Sequence, residues 1–256
     1  MPIPKIIHYV WFGGKELPPI AQKCIESWKK YLPDYEIKEW NEQNFDVTVN
    51  QFCNEAYKAK KYAFVSDFIR IYVLYNYGGI YMDVDVEVIK PFDEEFLNCE
   101  SFSGYETQNT IPTGIMGSQK GQKFFEKILE FYEKERFINS DGTLNMTTNV
   151  KIITDIAKEN EFVPDGQKQT VLGFTIYPQT YFCPLSHDTN ETFFTADTYT
   201  IHHFSGTWCD RCTRFVGIWN HTYKSKFEKK VGGFWTSIIY KVLYNYNRLL
   251  DKISKE

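Results

Sequence analysis

The stretch from Tyr62 to Ile89 reads YAFVSDFIRIYVLYNYGGIYMDVDVEVI and joins a helix pattern to a strand pattern through two glycines. Its first half, Tyr62 to Tyr77, is apolar on most sides, as expected of a helix buried in a core. Gly78 and Gly79 end this helix, where glycine is common. The second half, Ile80 to Ile89, alternates apolar and polar residues with the period of a β-strand. This order predicts a buried helix that leads directly into an inner strand.

Working outward, the segment from Ile3 to Phe12 is almost continuously apolar, which is typical of a strand buried on both faces of a parallel sheet. A helix pattern from Pro19 to Tyr31 and a short strand from Tyr35 to Trp40 follow. Further helices are predicted at 121–134 and 150–158, and further strands at 174–177 and 198–204. Strands that alternate with helices predict a single α/β domain, residues 1–233, with a Rossmann-like mixed sheet and flanking helices.

Composition restricts the class of protein. The chain has 256 residues, of which 43% are hydrophobic and 18% aromatic, and a formal net charge of −4. This length suits one substantial core, and the acidic balance argues against a nucleic-acid binder. No apolar run approaches the roughly 20 residues of a membrane span, and no signal peptide is evident, so we expect a cytoplasmic protein with reduced thiols. Cys209 and Cys212 form a CxxC pair without a second pair of zinc ligands nearby.

The C-terminal segment differs from the rest of the chain in charge. From Lys224 onward there are eight Lys or Arg and three Asp or Glu. Within it, residues 234–256 are predicted to form an amphipathic basic helix, with an apolar side that runs from Trp235 to Ile253. Two uses stay open at this point. The helix packs against the same domain, or it contacts an anionic membrane.

Two carboxylates, Asp83 and Asp85, stand two residues apart in the predicted strand, so both are expected on the same face. Paired hard oxygen ligands suit Mg²⁺ or Mn²⁺, with further positions left for phosphate oxygens and water. In the preceding helix, Asp67 and Arg70 share a stripe with Ser66. Charged residues in a buried helix are either an internal salt bridge or a fork that binds sugar hydroxyls and phosphate, and Arg suits the second use.

A third polar cluster, HHFSGTW, begins at His202. A histidine at the end of a strand can add a nitrogen ligand to a metal held by carboxylates, and the following glycine lets backbone approach phosphate. The alternative is a structural role for both histidines.

In combination, three runs resemble the bacterial members of glycosyltransferase family 32. The runs are IPKIIHYVWFGG (3–14), FVSDFIRIYVLYNYGGIYMDVDVEV (64–88) and IHHFSGTW (201–208). Those enzymes make capsular and other surface polysaccharides and are related to yeast initiating mannosyltransferases and clostridial glucosylating toxins. The resemblance implies a GT-A type fold, a nucleotide-sugar donor, a divalent cation (Mn²⁺ or Mg²⁺) and retention of anomeric configuration.

Carried over residue by residue, the resemblance implies a donor site made by the first two runs. Trp11 would stack on the nucleobase, and Val10 would contact it through backbone. Asp67 and Arg70 would hold the donor sugar and phosphate, and Tyr81 would line the donor pocket.

The resemblance also implies a metal and pyrophosphate site. Asp83 would contact ribose and metal, and Asp85 would bind the metal directly. His203 takes the position of a C-terminal metal ligand, although the toxins carry a carboxylate there. Gly206 and Trp208 would lie near the pyrophosphate.

The expected reaction is transfer of a hexose to a glycan or lipid-linked acceptor in surface polysaccharide synthesis, in the cytoplasm at the inner face of the membrane. A UDP-sugar is favoured because the context of Trp11 resembles the UDP-using toxins, and GDP-mannose is the alternative. Two rival functions are a haloacid-dehalogenase-type phosphatase, suggested by the apolar strand before DVDV, and a non-catalytic sugar-binding module, suggested by the aromatic content. The phosphatase lacks its later acidic motif, and the module does not explain the buried Asp67 and Arg70.

Overall fold

The computed structural model describes residues 2–185, 192–206 and 224–253. Nine strands are named in order along these residues: β1 (Ile6–Val10), β2 (Glu36–Trp40), β3 (Gly79–Met82), β4 (Val86–Val88), β5 (Ser101–Gly104), β6 (Ile115–Ser118), β7 (Gln169–Val171), β8 (Phe174–Tyr177) and β9 (Thr200–His202). The helices named in the same residues are α1 (Pro19–Tyr31), α2 (Gln51–Lys58), α3 (Tyr62–Tyr77), α4 (Glu94–Asn98), α5 (Lys123–Lys134), α6 (Asn149–Lys158), α7 (Gln179–Phe182) and α8 (Lys224–Ile253), with a 3₁₀ turn at Val47–Val49.

A seven-stranded mixed sheet in the order β2-β1-β3-β6-β5-β8-β7 organises the fold. Strand β1 is parallel to β2 and β3, whereas β6 is antiparallel to β3 and to β5. Strands β4 and β9 form a separate two-stranded antiparallel sheet, and β4 follows β3 in the chain. Apolar residues cover both faces of the large sheet in two core clusters. The predicted fold class, α/β with a Rossmann-like mixed sheet and flanking helices, is confirmed.

The long apolar helix and the glycine turn after it are as predicted. Helix α3 spans Tyr62–Tyr77 and ends at Gly78, which has a φ of 68°. Gly79 also has a positive φ, and a Cβ added there would come within 2.7 Å of the carbonyl oxygen of Ile6. Because β1 passes this close, only glycine fits where α3 turns into the sheet.

The predicted continuous strand from Ile80 to Ile89 is wrong. Strand β3 ends at Met82, residues 83–85 form a turn closed by Val86 N–H donating to the Asp83 carbonyl (3.0 Å), and β4 then begins in the smaller sheet. The alternation also fails inside β3, since all four of its residues are buried. A strand with core on both sides has no polar face. The alternation in the sequence therefore extends over a strand, a turn and a second strand rather than over one strand.

The C-terminal helix starts earlier than predicted. Helix α8 begins at Lys224 rather than Phe234. Helix α8 and residues 204–206 belong to one compact unit. Residues through Leu185, together with 193–203, form another unit, which contains both sheets. The predicted boundary between residues 233 and 234 therefore stays a prediction. Among the helices of the described residues, none combines the length and apolar character required to span a membrane.

Candidate active site

Arg70 lies at the centre of a buried charged cluster on α3. Its Nη2 is 3.2 Å from Oδ1 of Asp67, one helical turn away, and 3.1 Å from Oδ1 of Asp83 just after β3. Only about an eighth of the Arg70 side chain is exposed (12%). A planar guanidinium has donors in several directions, so one Arg can bridge two carboxylates. The structure thus brings Asp67, Arg70 and Asp83 together.

Tyr81 contacts both Arg70 and Asp83 in this cluster. The Arg70 guanidinium lies 4.7 Å from the centre of the Tyr81 ring, a distance at which cation and ring attract. The Tyr81 hydroxyl donates to Oδ1 of Asp83 (2.8 Å), and Ser66 Oγ lies 2.9 Å from the same hydroxyl. Tyr81 is itself buried (1% exposed), and it contacts the polar cluster through both its ring face and its hydroxyl. Its predicted place in a donor pocket stays a prediction.

Asn149, at the start of α6, is a site residue that sequence reasoning missed. Its backbone N–H lies 3.3 Å from Oδ2 of Asp67, and its side-chain amide donates to the Asp67 carbonyl (3.3 Å) and the Tyr132 hydroxyl (3.1 Å). Burial raises the pKa of Asp67 to about 6, and Arg70 counteracts part of that rise. The helix N-terminus also favours the charged carboxylate. An asparagine at the start of a helix is common, so no local pattern indicates this contact.

Asp83 and Asp85 occupy the turn between β3 and β4 and contact different partners. Oδ1 of Asp83 takes the contacts with Arg70 and Tyr81. Oδ1 of Asp85 lies 3.4 Å from Nε2 of His202, at the end of β9. The common face expected from strand periodicity is therefore replaced by a turn, in which the two carboxylates reach different elements.

Gly114, which precedes β6, lets three side chains pack close to its backbone. A Cβ at this position would lie 3.1 Å from Oδ2 of Asp83, 3.2 Å from Cε1 of His202 and 2.8 Å from a methyl of Val86. The Gly114 carbonyl also accepts from the Asp83 N–H (2.8 Å), which fixes the start of the turn. A side chain at this position would therefore clash with Val86 and crowd Asp83 and His202, so that glycine is required here. This glycine was not singled out from the sequence, because its role depends on contacts with distant segments.

The two neighbouring histidines take different directions. Burial lowers the pKa of His202, but its hydrogen bonds and the charge of Asp85 outweigh burial, so that the pKa lies well above the usual value. His203 instead places Nε2 at 2.8 Å from Oε2 of Glu87, which also pairs with Lys23. Its backbone N–H donates to the Asp85 carbonyl (3.0 Å). The predicted role of His203 as a metal ligand stays a prediction, and His202 is the histidine beside Asp85.

The residues present fit a divalent cation bound together with a diphosphate. Within residues 2–185, 192–206 and 224–253, no three His, Cys, Asp or Glu side chains converge as a complete metal site. A catalytic Mg²⁺ or Mn²⁺ does not need one, because it is commonly held by one or two carboxylates, with phosphate oxygens and water as the other ligands. Asp83 supplies one carboxylate, and Asp85 supplies a second two residues further along the turn, with Nε2 of His202 at 3.4 Å from its Oδ1.

Val10 and Trp11, also predicted to bind the donor, lie at the end of β1 and directly after it, whereas Gly206 lies outside the unit that contains both sheets. Val10 is the last residue of β1, and Trp11 follows it with its N–H donated to the Trp40 carbonyl (2.9 Å). The Trp11 ring is partly buried, and its Nε1 donates to the Lys15 carbonyl (2.5 Å). Gly206 has a positive φ of 59°. Trp208 and the CxxC pair lie outside the described residues.

Comparison with known proteins bears on the same stretch. Residues 18–103 match the family described as a glycosyltransferase sugar-binding region containing a DXD motif. The chain is 27% identical over 221 residues to an uncharacterized glycosyltransferase of Acanthamoeba polyphaga mimivirus, covering 80% of this chain and 84% of the viral protein. The comparisons support a glycosyltransferase. They favour it over the phosphatase and the sugar-binding module that the sequence left open.

Other similar proteins share only part of the chain. Inositol phosphoceramide mannosyltransferase 3 of Schizosaccharomyces pombe is 29% identical over 138 residues, which is 50% of this chain and 36% of the yeast protein. The solved structure of the PaToxG glycosyltransferase has a TM-score of 0.46 at 18% identity and covers 62% of this chain and 70% of that one. The chain thus spans about a third of the length of this yeast relative.

Proposed function

We propose that this chain is a metal-dependent, retaining glycosyltransferase of GT-A type that transfers a hexose from a nucleotide-diphosphate sugar. The observation that carries the proposal is the buried cluster in which Arg70 bridges Asp67 and Asp83, at the start of the turn that also carries Asp85. A structural salt bridge needs one carboxylate for one guanidinium. Here one guanidinium contacts two carboxylates and lies over the Tyr81 ring, whose hydroxyl donates to one of them.

The proposed chemistry is stabilisation of a leaving diphosphate by groups already in place. A divalent cation held by Asp83 and Asp85 would supply positive charge to the diphosphate oxygens. Arg70 adds a fixed cationic group whose orientation is set by its two carboxylates, so that little reorganisation is needed as charge develops. Asp67, held by Asn149 and Arg70, is placed to accept hydrogen bonds from sugar hydroxyls.

Retention follows if no carboxylate serves as base or nucleophile on the far face of the sugar. Inversion needs a general base there, and double displacement needs a carboxylate nucleophile close to the anomeric carbon. The acidic residues of the cluster are already committed to Arg70, the turn and the proposed cation. We therefore propose same-face attack, with the leaving phosphate as acceptor of the proton from the incoming hydroxyl.

For the donor we propose a UDP-hexose, with GDP-mannose as the alternative to which the mannosyltransferase relative lends support. The proposed acceptor is a glycan or lipid-linked glycan in surface polysaccharide synthesis, as in the bacterial branch of family 32. The corresponding location is the cytoplasm, at the inner face of the membrane. Trp11 would hold the base by stacking, since its ring lies at the carboxyl end of β1, where donors bind in open α/β sheets.

The test is incubation of the full chain with a panel of UDP- and GDP-sugars and Mn²⁺, followed by NMR of the released sugar and of any product. We expect one donor to be cleaved to nucleoside diphosphate, and the first-formed product to keep the α-configuration of an α-linked donor. A β-configured product would overturn the retaining mechanism. Release of inorganic phosphate from simple phosphate esters, without cleavage of any donor, would overturn the transferase.

A further inference from the structure

Helix α8 presents an apolar side to solvent. Its large exposed apolar residues, with their exposed fractions, are Trp235 (58%), Ile238 (37%), Val242 (62%), Leu243 (36%) and Tyr246 (58%). Trp235, Ile238, Val242 and Tyr246 are spaced by three or four residues and therefore lie along one side of the helix. These four residues and Leu243 are here called the apolar stripe. Such a contiguous exposed patch usually marks an interaction surface.

The buried part of α8 lies on a different side. Thr236 is buried (3% exposed), and Tyr240 and Tyr244, each four residues further along, are half-buried. A helix that packs by its apolar side would bury Val242 before Thr236. Among the described side chains of α8, Thr236 is therefore the buried one, whereas the five residues of the apolar stripe are at least 36% exposed.

The charges next to the apolar stripe are of one sign. Between residues 229 and 248 the sequence has four cations, Lys229, Lys230, Lys241 and Arg248, and no Asp or Glu. All four are exposed. Lys230, Lys241 and Arg248 are separated by close to whole numbers of turns, so they form a row along one flank of the apolar stripe. Two copies of this surface would bring eight like charges together, which disfavours self-association.

We propose that α8 docks on an anionic lipid surface, with the apolar stripe at the boundary of headgroups and acyl chains and the row of cations against lipid phosphates. A membrane of negative surface charge complements both features. Apolar and aromatic side chains enter the interface, and each nearby Lys or Arg gains from the surface potential. Trp and Tyr suit this depth because their rings are apolar and their edges polar. The docking surface lies on α8 and does not depend on the chemistry proposed for Asp67, Arg70 and Asp83.

The experiment is sedimentation of the full chain with vesicles of phosphatidylcholine, with and without about one-third phosphatidylglycerol. We expect binding to the anionic vesicles only, and loss of most of that binding at high salt. The charge-reversal pair Lys241→Glu/Arg248→Glu is expected to weaken binding at least about tenfold. The stripe variant Val242→Asp/Tyr246→Asp is expected to weaken it by at least as much.

Matched controls separate docking from general effects of charge and polarity. Lys120→Glu/Lys123→Glu makes the same charge change at exposed positions near the start of α5, and Val49→Asp makes a polar change at another exposed valine. Both controls are expected to bind anionic vesicles like the parent chain. Circular dichroism checks that α8 persists, and Val242→Ser/Tyr246→Ser replaces the acidic pair if it does not.

Three outcomes would overturn the proposal. The first is absence of binding to anionic vesicles by the parent chain, and the second is equal binding by the stripe variant with α8 intact. The third is a parent chain that does not bind vesicles but forms a dimer in solution, which the stripe variant dissociates. The apolar stripe would then bind a second copy of the chain. Sedimentation is measured without donor, so failure of glycosyl transfer and failure of docking are distinguishable.

Discussion

Replacing Arg70 by Lys tests whether the charged cluster on α3 acts on a donor or only stabilises the fold. Lys keeps the positive charge but has one compact ammonium, which cannot reproduce the planar fork that reaches Asp67 and Asp83 at 3.2 and 3.1 Å. Removing a partner from a buried ion pair costs about 3–5 kcal/mol. Because Lys retains the charge, we expect a smaller loss of about 1–3 kcal/mol in the free energy of unfolding.

The expected loss of activity for Arg70→Lys is larger than the loss of stability would explain. If Arg70 is a fixed donor to the leaving diphosphate, kcat/KM for donor cleavage is expected to fall by at least about 100-fold, or about 2.7 kcal/mol of transition-state stabilisation. Denaturant unfolding gives the stability, and donor cleavage under conditions where the variant is folded gives kcat/KM.

Arg136 provides a matched control for that substitution. It pairs with Glu55, but its side chain is 60% exposed, and surface ion pairs contribute about 0–1 kcal/mol. Arg136→Lys is therefore expected to leave donor cleavage unchanged with a small loss of stability. Our reasoning is refuted if Arg70→Lys keeps kcat/KM within about threefold while its stability falls, because the cluster is then an internal salt bridge.

Three further predictions concern the turn carboxylate, the base-stacking residue and acid stability. Asp85→Asn is expected to lower turnover by about 100-fold or more with the fold intact, because the amide keeps the shape and loses the anionic ligand; normal turnover at low Mn²⁺ would contradict the metal assignment. Trp11→Ala is expected to weaken UDP binding by about 1–3 kcal/mol, whereas a large drop in melting temperature with unchanged affinity would make Trp11 a core residue. The hydrogen bond and charge of Arg136 lower the pKa of Glu55 from 4.5 to about 2. This stabilisation is full above about pH 4.5 and lost as the pH falls toward 2, so Glu55→Gln is expected to flatten the acid limb of the unfolding free energy against pH; an unchanged limb would show that other groups determine it.

The sequence predicted the elements whose burial repeats with a clear period. Helix α3 and strand β8 have the predicted limits, and α1 begins with the predicted proline. In these elements local pattern and tertiary environment agree, since α1 buries its apolar side and the mainly apolar α3 and β8 lie in the core. Strands β5 and β6 were not predicted, because SFSG and IMGS are short and rich in small residues. Their place in the sheet depends on pairing with segments distant in sequence.

At the site, residue types were easier to predict than their geometry. Asp67, Arg70 and Asp83 were singled out together, and the structure brings them within contact. The turn at residues 83–85 was not foreseen. The alternation of apolar and polar residues after the helix fits one unbroken strand as well as it fits two strands joined by a turn. Gly114 and Asn149 acquire their importance from contacts with segments distant in sequence, which no local pattern records.

The most direct test of a metal-dependent nucleotide-sugar site is isothermal titration of UDP and GDP into the chain, with and without Mn²⁺. We expect one nucleotide to bind at least about tenfold more tightly with Mn²⁺, and Asp85→Asn to remove this gain without removing the fold. If neither nucleotide binds more tightly in Mn²⁺, or if Asp85→Asn keeps the full gain, the turn after β3 is not the metal and diphosphate site.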